Sequence, residues 1–185
     1  MKNASLEPEE HPAASDSRRA PAGPLSRFNA TIARFGMYFA VGGLIVLIAI
    51  VFYQVFGRYV LGRSPTWTEG MALVLILYVT LIGAAVGVRD AGHIGMESLL
   101  VLVPDDLRNK LELLIHGCVA AFGLAMLYNA WILGESVAGY KIANLNLSEA
   151  VRYVPLGLSG LLIVLFSIEH IIALLKGLEV EPAWH

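Results

Sequence analysis

There is one cysteine in the 185 residues, Cys118, which leaves no basis for a disulfide framework or a Cys-ligated metal or redox centre. Charge is also scarce: 15% of residues are charged, against about a quarter in an ordinary soluble domain. The formal net charge is -2 and the lysines and arginines form no cluster, which excludes the basic surface of a nucleic-acid binder. Catalytic signatures are missing as well, with no GxxxxGK[ST] phosphate loop, no GxSxG elbow and no HExxH zinc motif. Nothing here argues for an enzyme, a cofactor or a metal.

What is present is apolar and comes in blocks. Hydrophobic residues make up 57% of the chain, and Phe35–Gly57, Gly70–Val88 and Leu113–Gly134 are uncharged runs of 23, 19 and 22 residues. Roughly 20 residues cross about 30 Å of hydrocarbon as a helix. A fourth block, from Tyr153 to Ile168, gives 16 uncharged residues before Glu169 and His170, and IIALL carries it on to Lys176. The first run is longer than the core of a secretory signal and lacks a small-residue cleavage site, so it reads as an anchor. The expected fold is an all-α membrane protein of four transmembrane helices, at about 35–57, 70–88, 111–135 and 152–176 within a membrane domain of 25–178.

The flanks follow from composition. Residues 1–24, rich in Pro, Ala, Ser and charge, read as a disordered tail, and 179–185 as a short C-terminal one. LSRFNATIARF places Leu25, Phe28, Ile32 and Phe35 on one helical face, as for a helix in the headgroup region running into span one. Between helices two and three, IGMESLLVLV (94–103) is too short to span and is expected to be interfacial or re-entrant. Pro104 followed by Asp105 and Asp106 is the chemistry of a helix start.

With four spans, nine Lys and Arg fall on the side of both termini and four (Arg58, Arg63, Lys141 and Arg152) on the other. That bias expects both termini in the cytoplasm. For helix contacts, the small-residue stripes Gly83/Gly87 and Gly117/Ala121/Ala125 are the candidates.

A transporter acting alone needs polar chemistry near the bilayer midplane. Gln54, Tyr78, Thr80, Tyr128, Asn129, Trp131, Pro155 and Ser159 are a sparse supply, with no acid at mid-depth. Glu169 is the one acid expected at membrane depth, and pairing with Arg34 or Arg89 is its structural reading. His116 and His170 fall near the same face of spans three and four, so a four-helix membrane haem protein is the rival from another class. A stand-alone small membrane transporter is the second.

The stretch GRYVLGRSPTWTEG joins spans one and two. Arg58 and Trp67 suit the headgroup and aromatic belt, Thr66 or Thr68 could cap span two, and Glu69 would face its positive dipole end. Anchoring does not explain Arg89, Asp90 and His93 at the far end of the same span.

Taken together, FGRYVLGRSPTWTEGMALVLILYVTLIGAAVGVRDAGHIGMESLL resembles the small permease subunit of TRAP transporters, the DctQ-like family. The resemblance rests on Phe56, Gly57, Arg58 and Tyr59, on Trp67 with Glu69, on Gly83, and on Arg89 with His93 and Ile94. One departure is Gly70, where relatives often carry a second acid after the first. The resemblance implies a scaffold subunit in the bacterial inner membrane, partnered with a large many-span permease and a periplasmic substrate-binding protein, for sodium-driven uptake of a small organic anion. Arg58, Trp67, Glu69, Arg89, His93 and Glu169 are the candidates for orienting helices, meeting lipid headgroups or touching the large subunit.

Overall fold

A computed structural model of the chain describes residues 24–63, 65–90 and 105–176. The expectations for the N-terminal tail up to residue 23, for His93 and segment 94–103, and for the C-terminal tail lie outside the described residues. Among these residues four α-helices form: α1 (Pro24–Tyr59), α2 (Trp67–Asp90), α3 (Asp105–Ser136) and α4 (Val154–Leu175), the last preceded by a 3-10 turn, Glu149–Arg152. All four are long and apolar enough to cross a membrane. The fold is therefore an all-α membrane protein with four spans.

α1 is one unbroken rod of 36 residues. At 1.5 Å per residue it measures about 54 Å, well beyond the hydrocarbon thickness, so the amphipathic start and the first span are a single helix. It ends by folding back on itself: the Arg63 N–H donates to the Gly57 carbonyl at 3.0 Å, with Gly62 at φ +65°. A Cβ at Gly57 would lie 2.8 Å from the Arg63 carbonyl oxygen, so this turn needs glycine there.

The helices lie in the order α1, α2, α4, α3, each packed on the next. Small residues decide how closely they approach. On α1, Gly36 and Gly43 face α2, and a Cβ at Gly43 would come within 2.7 Å of Val79 Cγ2. Phe166 of α4 joins Ala33 of α1 and Val86 of α2 in one buried cluster. Between α3 and α4 the contact is backbone on backbone: a Cβ at Gly160 would stand 2.7 Å from the Gly123 carbonyl oxygen, and one at Gly123 2.9 Å from that of Gly160. The close approach lies here and not at the stripes the sequence suggested. Gly83 meets Ala40 at an ordinary 3.8 Å, Gly87 and Gly117 have nothing within 4 Å, and Ala121 and Ala125 face outward.

These helices place two ends of the molecule. α1 and α3 begin, and α2 and α4 finish, at the terminal end; the α1–α2 and α3–α4 connections make the loop end.

Replacing Gly160 by alanine should lower thermal stability in detergent by about 1–3 kcal/mol, because the added methyl forces two backbones apart. Gly42→Ala, with nothing within 4 Å of its Cβ, should be neutral or mildly stabilising in the same assay.

Candidate functional site

The buried charges of the described residues gather at the terminal end. Arg89 is 1% exposed, Asp90 2% and Glu169 4%, and around them Asn29, His116 and His170 are buried too. Each helix contributes: Asn29 from α1, Arg89 and Asp90 from α2, His116 from α3, Glu169 and His170 from α4.

The geometry is built around Arg89. Its Nη2 donates to Glu169 Oε1 at 3.2 Å and its Nε to Glu169 Oε2 at 3.3 Å, so the guanidinium takes the carboxylate edge-on with two bonds. Its third nitrogen, Nη1, donates to Asp90 Oδ1 at 3.1 Å. Asn29 completes the acceptor shell of Glu169, with Nδ2 at 2.8 Å from Oε2 and 3.4 Å from the Leu165 carbonyl oxygen. Removal of two ions from water is costly, and only such dense pairing offsets it. Of the two arginines the sequence offered as partners for Glu169, Arg89 bonds it.

The histidines extend the cluster to α3. His170 Nε2 lies 3.0 Å from the Arg89 carbonyl oxygen; a carbonyl only accepts, so Nε2–H donates. That carbonyl sits in the last turn of α2, where helix carbonyls have no partner of their own. The His116 and His170 rings stack with centroids 4.5 Å apart and planes within 4°. This arrangement does not fit a haem. Axial histidines present ring nitrogens to iron from opposite sides of a macrocycle, whereas these rings present their faces to each other with no room for a macrocycle between them.

The other expected positions lie at the loop end. Arg58 and Glu69 are exposed and Trp67 is 41% exposed, so none is held by the ion cluster. Thr68 is buried, but its hydroxyl donates to the Pro65 carbonyl at 2.7 Å; it fixes the turn before α2 as a donor, not as the accepting cap the sequence suggested. The α3–α4 connection folds over this turn. Asn144 and Asn146, at φ 66° and 52°, bend it so that Ile142 N–H donates to the Leu147 carbonyl at 2.8 Å. Ile142 and Leu145 then cover Gly70, where a Cβ would stand 2.9 Å from Leu145 Cδ1. Gly70 thus makes room for the loop. Sequence reading missed this contact, and Asn29 with it, because each forms between elements far apart in the chain.

The description "Tripartite ATP-independent periplasmic transporters, DctQ component" belongs to the family that matches residues 47–177. The chain belongs to this family. Among its relatives is the sialic acid TRAP transporter small permease protein SiaQ of Vibrio cholerae, 23% identical over 130 residues, covering 70% of this chain and 75% of that one. The C4-dicarboxylate TRAP transporter small permease protein DctQ of the same species is 27% identical over 107 residues, 58% of this chain and 45% of its own length. The sialic acid TRAP transporter permease protein SiaT of Haemophilus influenzae is 29% identical over 82 residues, which are 42% of this chain but only 13% of SiaT. As a DctQ-family small permease, the protein is a transporter component and not an enzyme, and a multi-pass protein of the inner membrane.

Glu169→Gln should lower stability in detergent by about 3 kcal/mol, since the buried guanidinium loses its two-bond partner. Asn29→Leu, which removes one neutral donor, should cost about 1 kcal/mol. Chemical or thermal unfolding of the purified chain measures both.

Proposed function

We propose that this small permease is a scaffold: it holds a large permease subunit in place during sodium-driven uptake of a small organic anion, and binds no substrate itself. The observation that carries the reading is where the charge lies. Among the described residues, every buried charged side chain belongs to the cluster at the terminal end, tied to its neighbours, and the hydroxyls nearest mid-span, those of Tyr78 and Thr80, donate to backbone carbonyls of this same chain. A solute path needs polar groups near the midplane. A brace needs helices held firmly together, and the ion cluster supplies that.

The large partner is supported by the match to SiaT, where a segment like this one makes up about an eighth of a much longer permease chain. A segment like this chain joined to a permease in one polypeptide there favours contact with a permease here. A periplasmic substrate-binding protein completes the tripartite plan that the family description names. Organic anions as cargo follow from the sialic acid and C4-dicarboxylate in the names of relatives. Both termini face the cytoplasm in this reading, in keeping with the bias of Lys and Arg toward their side. The ion cluster then sits at the inner boundary of the bilayer, and Arg58, Trp67 and Glu69 at the outer one, facing headgroups.

Reconstituted alone in liposomes, the chain should accumulate none of a panel of carboxylates, sugar acids and amino-acid-like solutes under a sodium gradient. Together with its large subunit and binding protein it should accumulate one of them. Uptake by the chain alone would refute the scaffold reading.

A further inference from the structure

We draw no further inference here: the strongest candidate, the stacked His116–His170 pair where α3 meets α4 at the terminal end of the helix row, belongs to the ion cluster already described.

Discussion

A guanidinium shared between two carboxylates, with almost no water near it, is the constraint on which this protein's architecture rests. Arg89 cannot be buried without Glu169 and Asp90, and Glu169 cannot be buried without Arg89 and Asn29. Because these side chains come from α1, α2 and α4, satisfying them fixes the mutual height and rotation of three helices. Apolar packing in a membrane does this poorly, since lipid tails are as apolar as leucine and reward no particular arrangement. The stacked histidines pass the same constraint on to α3.

The consequence is a row of helices, α1, α2, α4 and α3, pinned at one end by ionic contacts and along its length by glycines. Such a row offers wide lateral faces. It suits a subunit whose work is to support another.

Much of this was legible from the residues. Four apolar runs of spanning length gave the helices, because hydrocarbon thickness is a strict ruler. The lone acid of span four pointed to an arginine partner, because a charge at that depth must be paired. What could not be read were contacts between distant elements. Asn29 looked like one polar residue on an amphipathic face, yet it donates to Glu169, 140 positions away. The true close approach, Gly123 with Gly160, carries no GxxxG spacing in either helix, whereas the visible stripe at Gly117, Ala121 and Ala125 faces outward. Spacing within one helix says that a face is smooth. It does not say which neighbour meets it.

The central claim is tested most directly by a double-mutant cycle on Arg89 and Glu169, using Arg89→Met, Glu169→Met and the pair together, with unfolding free energies measured on the purified protein in detergent. Each single change should cost about 3 kcal/mol or more by stranding a buried charge, and the double change should recover most of that loss. Losses that simply add, with no coupling between the two sites, would contradict the account.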